Sequence, residues 1–441
     1  MPLDASTAEP RHFRCIGIGV GPANLSLACL MYGNADLTSL FIERRDRFGW
    51  HDGQQTPDAA LQVSMLKDLV SLADPTNAFS FLAYLHAQGR IYHFLNARFD
   101  AVPRHEFRNY LEWAAHRNQN VTFGEEVESV EFQGRFLVRT NRRRLTADNL
   151  SIGVGNQAWT PPTAEPFLAD SKVFHVSQHT DRAINLAGLR VGVIGGGQSG
   201  AEAFLDLISR PTADSPRRVS WISRRANFFP IDDSPFTNDY YMPDHSDYFA
   251  SLPLPIRQTF NTTHLLTSDG ISESTLRAIY QRIYTQNFIH QRTDLIALYP
   301  NRDLTGISRQ AGSGDGYTLA LSHNHHPEAT EQLDLDVLIF ATGFRPHTMP
   351  FLSPIADRLQ SEAGEYRIDD NYAVLWDGPA DRNIFLQNAT RQQRGLADPN
   401  LSLLAWRSQR ILDRLRNADT DPQHRSFIEW TSKQPSVAEP E

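Results

Sequence analysis

The stretch Arg190-Val191-Gly192-Val193-Ile194-Gly195-Gly196-Gly197-Gln198-Ser199-Gly200 decides the fold class. An apolar run of strand length meets a glycine turn and continues into Ala201 to Ile208, where apolar residues recur at helical spacing. Glycines at G-x-G-x-x-G spacing permit a tight turn and a close backbone approach to a pyrophosphate. The phosphate then sits on the helix N-terminus, favoured by its amides and dipole. Gly195, Gly197, Gln198, Ser199 and Gly200 are therefore candidate cofactor contacts. The next apolar strand, Val219-Ser220-Trp221-Ile222, leads into Ser223-Arg224-Arg225, where an NAD-binding unit would carry an acid. Guanidinium groups at Arg224 and Arg225 suit the 2′-phosphate of NADPH.

The same grammar stands nearer the start. Phe13 to Ile18 reads as a buried strand, Gly19-Val20-Gly21-Pro22 as a turn, and the residues from Asn24 as a helix. Leu40-Phe41-Ile42 then ends in Glu43, an acid at about the twenty-residue offset that a ribose hydroxyl requires. Gly19, Gly21, Asn24 and Glu43 join the candidates. Two dinucleotide sites in one polypeptide imply hydride passing from one cofactor to the other, so the first holds a flavin: FAD beside NADPH.

The fold expected is α/β, with two Rossmann-like dinucleotide-binding domains and a small, mainly helical substrate region inserted. A chain of 441 residues has room for both. The FAD domain is expected at 1–187 and 336–441, discontinuous, and the NADPH domain at 188–335. The aromatic and polar stretch at about 236–296 interrupts the latter, and its Ser272 to Tyr284 segment has helical spacing. Arg104 to Ala115 and Leu401 to Arg416 read as helices, Val121 to Thr140 as a hairpin sheet, and Leu335 to Phe340 and Asn383 to Gln387 as strands.

A formal net charge of −9 opposes nonspecific binding to nucleic acid or to an anionic membrane. Cys15 and Cys29 read as buried thiols, not a disulfide. The start, MPLDASTAEPRHFR, has no basic stretch leading into an apolar one, and no apolar run is long enough to span a bilayer; a cytoplasmic protein is the expectation. No metal is expected: His323-Asn324-His325-His326 lacks partner ligands at diagnostic spacing and reads as a solvated loop. Composition predicts fraying only at the two ends. Pattern alone stops at a flavoprotein oxidoreductase, with reductase, oxidase and monooxygenase all open. The lack of a C-x-x-C pair argues against the disulfide reductases and favours oxygen chemistry.

Further stretches carry a resemblance. Phe48-Gly49-Trp50-His51-Asp52-Gly53, Leu61-Gln62-Val63-Ser64-Met65-Leu66-Lys67-Asp68-Leu69, Arg104-His105-Glu106-Phe107-Arg108-Asn109-Tyr110, Ala341-Thr342-Gly343-Phe344-Arg345 and Leu401-Ser402-Leu403-Leu404-Ala405-Trp406 together resemble the N-hydroxylating flavin monooxygenases of siderophore biosynthesis. The likeness extends over nearly the whole chain. It implies Gln62 and Arg104 beside the flavin and nicotinamide, with no side chain acting as nucleophile, and Trp50 and His51 packed around the flavin. Thr342, Gly343, Asn400 and Ser402 join the cofactor-binding set.

Lys67 matches a lysine that binds the substrate carboxylate, and Asn238 an asparagine sharing that task. Ser268, in Thr267-Ser268-Asp269-Gly270-Ile271, stands where ornithine hydroxylases carry asparagine. That string is closer to the lysine hydroxylases of the aerobactin type. Asn238 and Gln393-Arg394-Gly395 depart from their pattern, which keeps ornithine and aliphatic diamines (putrescine, cadaverine, 1,3-diaminopropane) open beside lysine. The implied reaction has NADPH reduce FAD, O2 add as a C4a-hydroperoxyflavin, and the substrate amine attack its distal oxygen. The implied partners are a small amine and O2, and the implied assembly a homo-oligomer, a tetramer by resemblance. A reductase or electron-transfer flavoprotein is the rival of another class.

Overall fold

A computed structural model describes residues 10–310, 315–419 and 425–431. The ends expected to fray, and most of the stretch read for a leader, lie outside them. Arg11–Ile18 forms the centre of a seven-stranded sheet, parallel to Ser39–Ile42 on one side and to Arg144–Ile152 on the other. Cys15 lies opposite Ser39, and Ile18 opposite Ile42. The helix Pro22–Met31 returns across this sheet and packs on the helix Leu404–Arg416, which supplies Leu404, Ile411, Leu412 and Leu415 to the same core. Strands enclosed by helices bury both faces, which is why they read as unbroken apolar runs. Cys15 and Cys29 are free and buried here, and burial pushes the Cys15 thiol up to about 12.

The second sheet is wholly parallel, in the order Ile296–Tyr299, Arg218–Ile222, Arg190–Ile194, Val337–Phe340, Val173–His175. The helix Gln198–Ser209 covers it, and Trp221 is stacked between Phe204 and Phe228 with ring centroids 4.8 and 3.7 Å away. Between Arg218–Ile222 and Ile296–Tyr299 runs a mainly helical segment that includes Pro243–Ser251, Leu254–Thr263 and Glu273–Tyr284.

Sheet membership differs from the expected domain limits. Val173–His175 precedes 188 and Val337–Phe340 follows 335, yet both hydrogen-bond into the second sheet. The single strand expected from Leu335 to Phe340 is also divided. His326–Leu335 closes a three-stranded antiparallel sheet, with Arg302–Arg309 and Tyr317–His323, that the sequence reading had not separated. The break falls at Asp336, whose carboxylate accepts from the Arg190 amide at 2.8 Å and from its guanidinium at 2.6 and 3.1 Å. That pairing turns the chain from one sheet into the next. The histidines at 323, 325 and 326 lie at the tip of this hairpin. Among the described residues no His, Cys, Asp and Glu cluster could hold a metal, and no helix is long and apolar enough to cross a membrane.

The chain passes between the units at two places. Asn156–Ala158 and Phe344–Pro346 pair there as an antiparallel ribbon with Gln157 opposite Arg345.

Candidate active site between two nucleotide cradles

Both glycine turns are shaped for an anion. Gly19 has φ +84°, and a Cβ added to it would lie 2.6 Å from the Gly153 carbonyl oxygen. Gly21 caps the following helix in extended conformation with no side-chain cap bond, and that helix has no acid in its first turn. Gly195 has φ +137°, and its added Cβ would meet the Ala341 carbonyl oxygen at 2.1 Å; that of Gly200 would meet the Gly195 carbonyl oxygen at 2.2 Å. Gly197 again caps a helix without a side-chain cap bond or a first-turn acid. Amides at such helix starts, unclaimed by a side chain, are what a pyrophosphate takes. Both cradles thus fit a dinucleotide.

Glu43 closes the first turn: its carboxylate accepts from the Val20 amide at 2.9 Å and from the Arg45 amide at 3.0 Å. Asn24, expected as a cofactor contact, is fully buried instead. Its amide donates to the carbonyls of Ile18, Gly19 and Ser151 at 3.0, 2.8 and 3.1 Å, and its oxygen accepts from Ser151 and Gln387 at 2.7 and 2.8 Å. It shapes the turn from beneath. Arg224 and Arg225 also part company. Arg225 folds back to donate to the carbonyls of Gly196 and Asp269 at 3.1 and 2.9 Å, whereas Arg224 is exposed and its guanidinium makes no hydrogen bond or ion pair among the described residues.

The two units meet across a hydrogen-bonded seam beside the second glycine turn. Gln62 donates to Gln198 at 3.2 Å, Gln54 donates to Ser199 at 2.9 Å, and Arg104 forms a two-pronged ion pair with Glu202, both contacts at 2.7 Å. Gln54 and Glu202 went unmarked in the sequence; their only signal is proximity to Trp50-His51 and to the second glycine motif. His51 makes a 3.1 Å contact with Gln54 and stands edge-on to Trp50 at 4.7 Å. His51 has exposed surface as a residue, and the protein packed around its ring lowers its pKa. Thr342 donates to the Trp159 carbonyl at 2.5 Å, and the Gly343 carbonyl takes a bond from buried His175 at 3.1 Å. Ser177 N–H donates to His175 Nδ1 at 3.1 Å, which leaves Nε2 as the donor to Gly343.

Of the expected substrate contacts, Lys67 is half-buried, and burial lowers its pKa. Its ammonium donates to Ser402 at 2.8 Å, and Ser402 donates to Asn400 at 2.8 Å. Asn238 and Ser268 are not joined to that group by any described hydrogen bond. Asn238 is exposed and donates to the Asp233 carbonyl at 2.8 Å, while Ser268 accepts from Arg391 at 3.2 Å and donates to Asp269 at 2.8 Å.

Known proteins are similar to this chain in sequence and fold. The family described as L-lysine 6-monooxygenase/L-ornithine 5-monooxygenase matches residues 11–346. The L-lysine N6-monooxygenase of Escherichia coli is 37% identical over 92% of this chain and 94% of its own. Among solved structures, the FAD-bound cadaverine monooxygenase of the desferrioxamine pathway of Erwinia amylovora superposes with TM-score 0.89 at 27% identity, covering 96% of this chain and 99% of its own. The ornithine N-hydroxylase of Kutzneria sp. 744, with reduced FAD, NADP+ and L-ornithine, superposes with TM-score 0.83 at 30% identity over 92% of this chain and 99% of its own. With two glycine turns of dinucleotide-binding shape and a family match over most of its length, this chain belongs to the L-lysine 6-monooxygenase/L-ornithine 5-monooxygenase family.

Proposed function

We propose that this flavin-dependent N-monooxygenase hydroxylates the side-chain amine of L-lysine, forming N6-hydroxylysine for a hydroxamate siderophore. The observation that carries the substrate is Lys67. Its ammonium is half-buried and its partner is a neutral hydroxyl, with no carboxylate pairing it among the described residues. A cation so placed gains from an incoming carboxylate, which an amino acid brings. A diamine would bring a second ammonium to that end and meet repulsion. The 37% identity with the Escherichia coli lysine enzyme supports lysine over ornithine.

Bound in the two cradles, FAD and NADPH supply the electrons and the activation of O2. The chain itself binds, orients and excludes water. Lys67, Ser402 and Asn400 form one connected polar group for the substrate's carboxylate end. Trp50 and the neutral His51 wall the cleft without adding charge, which helps keep water from the reacting centre. The amine must arrive unprotonated, and a free lysine ammonium titrates at about 10.4, so desolvation in the cleft has to lower it. The enzyme works in a cytoplasmic setting and, by resemblance, as an assembly of like subunits.

The test is a panel of L-lysine, L-ornithine, cadaverine, putrescine and 1,3-diaminopropane, given with NADPH to the FAD-loaded protein and assayed for hydroxylamine product. Lysine should give product coupled to NADPH oxidation. If it yields only hydrogen peroxide while cadaverine is hydroxylated, the diamine reading replaces this one. NADPH turnover with an added electron acceptor, and no oxygenated amine from any substrate, would make the protein a reductase.

A further inference from the structure

Glu202 lies one turn into the helix Gln198–Ser209 and is only 7% exposed. Burying a carboxylate is unfavourable unless it is paired and hydrogen-bonded. Here both oxygens are engaged. Oε1 accepts from Arg104 at 2.7 Å and from Gln198 at 2.8 Å, and Oε2 accepts from the other prong of Arg104 at 2.7 Å. Arg104 belongs to the first unit, where it also donates to the Gln54 carbonyl at 3.0 Å. Gln198 accepts from the Ser272 amide at 2.8 Å, at the start of the helix Glu273–Tyr284 of the substrate region, and from Gln62 at 3.2 Å. One carboxylate therefore ties together the first unit, the helix that begins at the second glycine turn, and the substrate region.

We propose that Glu202 is a positioning residue for hydride transfer, holding Arg104 and Gln198 so that the two cofactor cradles keep one fixed separation. The inference rests on the assignment of those cradles to FAD and NADPH. The step it serves moves one hydride, carrying two electrons, from NADPH, which leaves as NADP+, to FAD, which becomes FADH−. A two-pronged guanidinium–carboxylate pair fixes orientation as well as distance. A misplacement of about 1 Å costs on the order of a hundredfold in rate.

Glu202→Gln keeps the size of the side chain but turns one acceptor into an NH2 group facing another donor. In this variant, with FAD content and melting temperature measured alongside, anaerobic bleaching at saturating NADPH should slow on the order of a hundredfold. The KM for NADPH should move far less. In the protein without substrates, the amides from Gln54 to Gln62 should exchange about tenfold faster as the seam loosens. Glu202→Asp, which keeps the charge, should recover part of the rate, and it carries the same comparison if the Gln variant loses its flavin. Combining Glu202→Gln with Arg104→Gln should slow bleaching no more than the worse single change.

Bleaching within about twofold of wild type in a flavin-loaded Glu202→Gln variant, or additive losses in the double variant, would overturn the role of Glu202 alone. If NADPH fails to bleach the wild-type flavin, the cofactor assignment falls and this inference falls with it.

Discussion

The ammonium of Lys67 donates to the hydroxyl of Ser402, 335 residues further along, at 2.8 Å, and Ser402 passes a 2.8 Å bond to Asn400. An early loop of the first unit is thereby joined to the start of its last helix. The bond leaves the lysine's charge without a carboxylate partner among the described residues.

Lys67→Ala should raise the KM for L-lysine. A hydrogen bond to a charged group contributes about 1.5–3 kcal/mol, which corresponds to a rise of roughly ten- to a hundredfold. The KM for cadaverine, which has no carboxylate and whose second ammonium Lys67 repels, should not rise and should fall by up to about threefold. Steady-state hydroxylamine formation with each substrate measures both. Equal effects on the two would rule out Lys67 as the carboxylate anchor.

Arg224 and Arg225 predict a different split. Because Arg225 already donates to two backbone carbonyls, Arg225→Ala should loosen the glycine turn and lower the melting temperature. Arg224→Ala should leave stability alone and reduce the preference for NADPH over NADH about tenfold, through KM for NADPH. Added salt should shrink the difference between Arg224→Ala and wild type. An unchanged NADPH to NADH ratio in Arg224→Ala would move the 2′-phosphate contact elsewhere.

The pH dependence of stability has two opposed parts. Burial lowers His175 from 6.5 to about 4, so between those values the unfolded chain holds a proton that the folded chain does not. Stability from this group therefore rises with pH across that window and is lost as the medium acidifies, by at most roughly 3 kcal/mol. Glu365 runs the other way. Burial raises it from 4.5 to about 7, so the folded chain keeps a proton that the unfolded chain releases, and stability falls as pH rises through that interval. Glu365→Gln, which mimics the neutral acid, should raise the melting temperature at pH 8 and leave it nearly unchanged at pH 4. His175→Gln should flatten the acid side. Melting curves at pH 4, 6 and 8 check both signs.

The two strand–glycine–helix units were legible because their signals are local: an apolar run, a turn only glycine fits, and a helical period within about twenty residues. The seam was not. Arg104 and Glu202 are 98 residues apart and Gln54 and Ser199 are 145 apart, and no period in a single sequence links such pairs. Asn24 is subtler, since the motif marked its position but carried no sign that its amide faces inward under the turn. The division of the expected strand at Asp336 turned on its pairing with Arg190, 146 residues away. Val173–His175, three residues long, is too short for any pattern to show and takes its place only because Val337–Phe340 offers it an edge.

The antiparallel ribbon of Asn156–Ala158 with Phe344–Pro346 brings the two ends of the intervening 185 or so residues side by side. Everything in the second parallel sheet lies between those ends, and every strand of the first lies outside them. The second unit is thus a guest sequence threaded into a host whose own sheet is complete without it. A graft of another guest at Gln157 and Arg345 would leave the host's strand order untouched, held at two anchoring strands in place of one tether.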